Sequence, residues 1–312
     1  MNMPAPAEIE KAAALLRDGK LVAFPTETVY GLGADATNAD AVLSIYETKG
    51  RPRFNPLIVH CADLAMAERF ASFSPLARQL ADAFWPGPLS IVLPLKSGHG
   101  LADVATAGLD TIALRVPDHP VAQALLRAAD RPLAAPSANP SGKLSPTTAE
   151  QVQRGFSGRV PVLDGGPCKS GVESTIVTID GDRIIQLRAG ALAREEIERV
   201  TGLVVSQAET GAKISAPGML LSHYAPNAHM RLDTSPQPGE AYLAFGAATP
   251  FDGITRNLSE SGDLHEAARN LFSMLHELDA TGVTMIVVAP IPETGLGEAI
   301  NDRLRRAAAP RS

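Results

Sequence analysis

Apolar residues recur at helical spacing through Ile9, Ala12, Ala13, Leu15 and Leu16 and stop before Gly19, after which LVAF reads as a short buried strand. The pattern repeats at once. Ala41, Val42 and Ile45 predict a helix over residues 38 to 49, ended by Gly50, and PLIVH reads as the next strand. Further helices are predicted near 63 to 71, 74 to 84, 119 to 129 and 148 to 156, with strands at LSIVLPL, TIALRV, STIVTI and IIQLR. The last two form a hairpin turning at DGD. Helices alternating with strands imply an α/β or α+β domain over residues 1 to 205. From Ser206 small polar residues, Gly and Pro replace periodicity, so 206 to 228 read as a linker. Residues 229 to 312 then read as a smaller βαβ-like module. AYLAFG and TMIVVAP are its strands, with helices at about Asp263 to Asp279 and 297 to 308.

Composition narrows the classes. A chain of 312 residues with 45% hydrophobic content is long enough for two cores. A formal net charge of -6 argues against broad, sequence-independent nucleic-acid binding, which needs a surface rich in Lys and Arg. The two cysteines, Cys61 and Cys168, stand in no C-x-x-C or Cys/His ligand spacing, so neither a disulfide framework nor a structural zinc is indicated. The N-terminus shows no signal-peptide pattern and no apolar run reaches the length of a membrane span, so a cytoplasmic protein is expected.

Against that acidic background Lys49, Arg51 and Arg53 alternate in ETKGRPRFNP. Pro52 biases Arg51 towards an extended backbone, which would put Arg51 and Arg53 on one side. The cluster reads either as a solvated helix end or as an anion site. PTETVYGLG follows a strand as a turn and offers glycines, the hydroxyls of Thr26, Thr28 and Tyr30, and the Glu27 carboxylate. PLAAPSANPSGKLSPTT is a polar loop stiffened by prolines that presents Ser137, Asn139, Ser141, Ser145 and Thr147. Thr111 and Arg115 lie on TIALRV, where an arginine inside an apolar strand needs an anionic partner. Ser174 and Thr175 open one hairpin strand and Arg188 ends the other. The chain has no S-x-x-K, G-x-S-x-G, phosphate-loop or dinucleotide fingerprint, which disfavours covalent serine catalysis and leaves any phosphate to the cations.

With PTETVYGLG, K-G-R-P-x-x-NPLIVH, TIALRVP, APSAN-x-SG and ESTI in this order, the N-terminal part resembles the YrdC-like family. APGMLLSHYAP and the C-terminal module extend the likeness to its long, two-domain threonylcarbamoyl-adenylate synthases. The resemblance implies a twisted open sheet with helices around a basic cavity. It also implies an enzyme, a nucleotidyltransferase, that makes L-threonylcarbamoyladenylate from ATP, L-threonine and bicarbonate or CO2. Pyrophosphate would be released, and the product would go to a tRNA threonylcarbamoyl transferase complex for modification at tRNA position 37. By resemblance Lys49 and Arg51 face the triphosphate and carry catalysis; Asn55, Thr111, Asn139, Thr147 and Arg188 contact the nucleotide. The linker crosses the cavity mouth and brings His223 or Tyr224 to the nucleotide. Thr28, His60, Arg115, Ser137 and Ser174 surround threonine. Mg²⁺ would arrive with ATP, held by phosphates rather than by a protein metal site. The chain departs from the family pattern in Ala189 after Arg188, in Ala216, and in LLSHY within the linker. Two other classes compete. An RNA-binding module is opposed by the net charge, and a carbamoyl-adenylate former for metalloenzyme maturation lacks its acylphosphatase and zinc-finger segments here.

Overall fold

Local chemistry sets the helix ends. Asn38 caps the helix that follows it by accepting from the backbone N–H groups of Asp40 and Ala41, and Gly50 ends that helix in the left-handed conformation at φ 63°. The computed structural model describes residues 3–208, 224–247 and 251–310. In chain order the first unit holds α1 Pro6–Arg17, β1 Val22–Phe24, β2 Gly31–Asp35, α2 Ala39–Lys49, β3 Ile58–His60, α3 Leu64–Ala67, α4 Pro75–Phe84 and β4 Leu89–Pro94. It continues with α5 Asp103–Thr106, β5 Thr111–Arg115, α6 Pro120–Ala129, β6 Leu133–Ala134, α7 Ala149–Gly155, β7 Thr175–Asp180, β8 Arg183–Arg188, α8 Arg194–Thr201 and β9 Val205–Gln207. The second holds β10 His229–Arg231, β11 Ala241–Ala244, β12 Thr255–Asn257, α9 Leu264–Ala280, β13 Met285–Val288 and α10 Leu296–Ala308.

The nine strands of the first unit form one mixed sheet in the order β1-β2-β6-β3-β5-β4-β7-β8-β9. Val42 and Ile45 of α2, Leu80 of α4, Ile91 of β4, Leu114 of β5, Val152 and Ile197 share its main core, while α1 and α6 bury Ile9, Leu16, Val121 and Leu125 in a second one. The register sets His60 on β3 opposite Arg115 on β5, so the two residues share a face of the sheet. The second unit is a parallel four-stranded sheet, β10-β13-β11-β12, packed with α9 and α10. Both units meet in a shared core, where Val29, Leu144 and Val172 pack with Leu271, Phe272 and Leu275.

The α/β architecture and the β7–β8 hairpin match the sequence expectation. GLGAD does not remain a turn: it is β2, antiparallel to both β1 and β6. Its two glycines hide a strand that only pairing reveals. The helix expected over 63 to 71 contracts to α3, and the short elements β6, β9, β10 and β12 carry too few residues to show a period. Helix α8 buries only Ile197, which leaves its apolar stripe nearly silent. Strand β9 pairs in parallel with β8, carrying the sheet through Gln207.

Candidate active site

Thr28, Arg51, His60, Arg115, Ser137, Ser174, Arg188 and Tyr224, widely separated in sequence, line one cavity. β3 and β5 supply His60 and Arg115, the residue just before β7 and the end of β8 supply Ser174 and Arg188, and the loop after α2 supplies Arg51.

Arg115 and its carboxylate partner Glu27 are almost wholly buried. The Arg115 Nη2 donates to Glu27 Oε1 at 2.6 Å and to Thr28 Oγ1 at 3.0 Å, and its Nε to the Gly87 carbonyl at 3.3 Å. Glu27 Oε2 is buried without a hydrogen-bond partner among the described residues, as is His60 Nδ1. Burial first, then the Arg115 charge, pushes His60 down to about 3, so the imidazole is neutral over the physiological range. Arg188, also in the lining, donates from Nε and Nη2 to the Ser174 carbonyl at 3.1 and 2.8 Å and from Nη2 to Ser174 Oγ at 3.1 Å. Ser174 Oγ in turn shares a 2.8 Å hydrogen bond with Ser90 Oγ.

The cation cluster divides. Lys49 and Arg51 turn inward and are buried, whereas Arg53 is exposed, with a long 3.8 Å ion pair to Glu47. The expectation that Arg51 and Arg53 share a side is therefore corrected: Gly50 and Pro52 turn the chain, and only Arg51 joins the cavity. Lys49 Nζ donates to the Ser137 carbonyl at 2.6 Å and to the Asn139 carbonyl. Arg51 donates from Nε to the Asn55 carbonyl at 3.4 Å and from Nη2 to the Pro56 carbonyl at 3.1 Å. Neither makes an ion pair with a carboxylate among the described residues. Burial, then Arg51, holds the Lys49 amine well below its ordinary value, and burial pushes Arg51 down to about 10. Arg51 lines the cavity and Lys49 lies outside its lining; both are desolvated groups held by neutral carbonyls, an arrangement suited to an anion.

Asn55 and Asn139 stand directly behind these cations, and the Oδ1 atom of each is buried without a partner among the described residues. Thr147 bonds Ser273 Oγ of α9 at 2.9 Å and so joins the two units. Thr111 opens β5, four residues from Arg115 and on its face of the strand, outside the lining of the cavity. Tyr30 turns away from the site: its hydroxyl donates to the Gly166 carbonyl at 2.8 Å. His223 lies outside the described residues; Tyr224, its neighbour, is 2% exposed and holds φ 61°.

Three groups of this constellation were not singled out from the sequence. Glu173 lies directly before Ser174 in ESTI and lines the cavity. Ser90 interrupts the apolar run LSIVLPL at an inward position, and Arg303 sits on the apolar stripe Ile300, Leu304, Ala307 of α10. A polar side chain on a buried stripe was the available signal in both cases.

Comparison with known proteins covers both units. Residues 14–190 match the family model described as "Telomere recombination" (Sua5_yciO_yrdC), and residues 192–309 match the model described as "Threonylcarbamoyl-AMP synthase, C-terminal domain". The threonylcarbamoyl-AMP synthase of Bacillus subtilis is 42% identical over 96% of this chain and 93% of its own, and that of Pyrococcus abyssi is 42% identical over 96% and 94%. The crystal structure of P. abyssi Sua5 complexed with L-threonine superposes with a TM-score of 0.90 at 40% identity, covering 98% of this chain and 96% of that one. On this agreement, running through both units, the chain belongs to the threonylcarbamoyl-AMP synthase family.

Proposed function

We infer that the cavity holds ATP and L-threonine side by side and joins them without a covalent enzyme adduct. The chain is an enzyme of L-threonylcarbamoyladenylate synthesis, the activity of its family in tRNA modification. The observation that carries the assignment of roles is the convergence of Thr28, His60, Arg115, Ser137 and Ser174 with Arg51 and Arg188 on one cavity. The likeness to a relative solved with L-threonine supports placing the amino acid among the first five residues.

In this reading Arg115, fixed by Glu27, meets the threonine carboxylate, and neutral His60 offers a hydrogen bond without adding charge. Lys49, Arg51 and Arg188 meet the phosphates, Asn55, Asn139, Thr111 and Thr147 the rest of the nucleotide, and His223 with Tyr224 its outer side. The neutral threonine amine adds to CO2 and gives up one proton to solvent, or adds to bicarbonate with loss of water, to form a carbamate. A carbamate oxygen forms a bond to the α-phosphorus while the bond to pyrophosphate breaks, and the leaving group carries away the electron pair. Charge at that step is met by fixed cations, so positioning and electrostatics do the chemistry.

No cluster of three His, Cys, Asp or Glu that could hold a metal occurs among the described residues. A cavity lined by cations and hydroxyls suits a Mg²⁺ that comes on the nucleotide's phosphates, where it would neutralise charge on the departing pyrophosphate. Transfer of the product to a tRNA threonylcarbamoyl transferase complex, and residence in the cytoplasm, belong to the same proposal. No described helix is long and apolar enough to cross a membrane.

Incubation with ATP, threonine and bicarbonate should release pyrophosphate only when threonine is present, with a product of the mass of threonylcarbamoyladenylate. Release that ignores threonine would count against the reading. Tight tRNA binding with a steep salt dependence would favour an RNA-binding module instead.

A further inference from the structure

Arg303 heads the fully buried side chains by volume, at 1% exposed. It belongs to α10 of the C-terminal unit, yet it reaches the wall of the catalytic cavity. Its Nε donates to Glu173 Oε2 at 2.8 Å, its Nη2 to the Ala189 carbonyl at 2.9 Å and its Nη1 to Asp302 Oδ2 at 2.5 Å. The guanidinium also lies 5.2 Å from the centre of the Tyr224 ring. Glu173 and Tyr224 both line the cavity beside Ser174 and Arg188.

Glu173 is an unusual group to find there. Burial raises its carboxyl, but Arg303 first and Arg188 second more than offset this and hold it below the ordinary carboxylate value. It is therefore a full negative charge in the wall of a cavity built for a polyanion. Its second oxygen accepts from the Ser145 hydroxyl, a neutral donor that leaves the charge in place. Arg303, which comes from the other unit, is shared between two carboxylates, Glu173 and Asp302, and Arg306 holds Asp302 as well, so most of what Glu173 receives comes from Arg303 and Arg188. Without Arg303, the field of Glu173 would fall on Arg188 alone, and phosphate would face a wall poorer by one positive charge.

We propose that Arg303 is a positioning residue for the nucleotide: by neutralising Glu173 it preserves the positive field of Arg188 at the phosphates, and by stacking on Tyr224 it holds that ring at the cavity wall. The C-terminal unit thereby sets the charge of the catalytic site as well as covering part of the first unit's apolar surface. This rests on the reading that the phosphates lie against Lys49, Arg51 and Arg188.

Calorimetry of ATP and of threonine, each titrated alone into the full chain, tests it. Arg303→Met should weaken ATP binding at least tenfold while threonine affinity stays within twofold. Adding Glu173→Gln to Arg303→Met removes the stranded charge and should bring ATP affinity back to within threefold of the unaltered protein. Arg303→Lys keeps the charge but loses the fork, so a smaller ATP loss with unchanged threonine binding is expected; it carries the test should the methionine variant fail to fold. ATP affinity within twofold in both single variants, a double variant as weak as Arg303→Met, or threonine affinity falling in parallel with that of ATP would overturn the proposal. Lys49→Ala is the control. If it loses ATP affinity and Arg303→Met does not, the role of Arg303 alone fails; if neither loses it, the phosphate placement fails.

Discussion

Lys49 and Arg51 flank Gly50 at what is otherwise an ordinary helix end, but burial turns both into poorly solvated cations held by main-chain carbonyls. On the proposed reading a phosphate arriving between them would replace lost hydration, and the pair would stabilise a charged transition state. Lys49→Ala and Arg51→Ala should each lower turnover at least tenfold, corresponding to about 1.4 kcal/mol or more of lost stabilisation. Steady-state kinetics with saturating threonine measures this, and near-normal turnover in both would remove the phosphate assignment. His60 leads to a pH dependence. Its folded value of about 3 lies below the ordinary 6.5, so between those values the unfolded chain binds a proton that the native chain refuses. Stability from this group is complete above about pH 6.5 and declines as pH falls towards 3. His119, pushed down to about 4 chiefly by burial, acts in the same direction. Thermal melts from about pH 7 to 4 should show a falling midpoint, with a shallower fall in His60→Gln; an unchanged slope in that variant would contradict the buried neutral imidazole.

Between elements, the contact of the loop before β7 with α9 depends on the absence of one side chain. Gly171 holds φ 74°, and a Cβ there would lie 2.3 Å from the Ala268 carbonyl oxygen and 2.4 Å from Arg269 Cα. These are backbone atoms in a packed helix, so the loop or α9 would have to move. The two residues that follow Gly171 are Val172, part of the shared core, and Glu173, the partner of Arg303. Gly171→Ala should therefore destabilise the protein by about 1–3 kcal/mol, the usual range for overpacking, and weaken ATP binding by disturbing Glu173. Urea unfolding and calorimetry on the same variant check both parts. A variant as stable as the unaltered chain would show that the two units are not packed as closely as the structure has them.

Across the molecule, the C-terminal unit completes the catalytic one. It covers Val29, Leu144 and Val172, bonds Thr147 through Ser273 and compensates Glu173 through Arg303. Ending the chain after Ala208 uncovers that apolar surface and opens Glu173 to water in place of Arg303. The loss of apolar burial lowers the melting temperature, by about 2–4 °C for each kcal/mol in a chain of this size. Scanning calorimetry on the 1–208 fragment should show this drop together with binding of a hydrophobic dye. A fragment that melts with the full chain would mean that the interface contributes little to stability.

The linear chain carried the identity of the chemistry. The K-G-R turn, TIALRV with its arginine and the S-x-N loop named the charged and hydroxyl groups, and helical or alternating periods placed most of the larger elements, because those periods depend on neighbours a few residues away. It could not show that GLGAD is a strand, that Tyr30 points away from the site, or that Arg51 turns in while Arg53 turns out. Each of these depends on partners brought close by folding: β6 for GLGAD, Gly166 for Tyr30, and the Asn55 and Pro56 carbonyls for Arg51. Arg303 is the plainest case. Its partner Glu173 is 130 residues away, and a charge balance across that separation exists only once two sheets and their helices have packed.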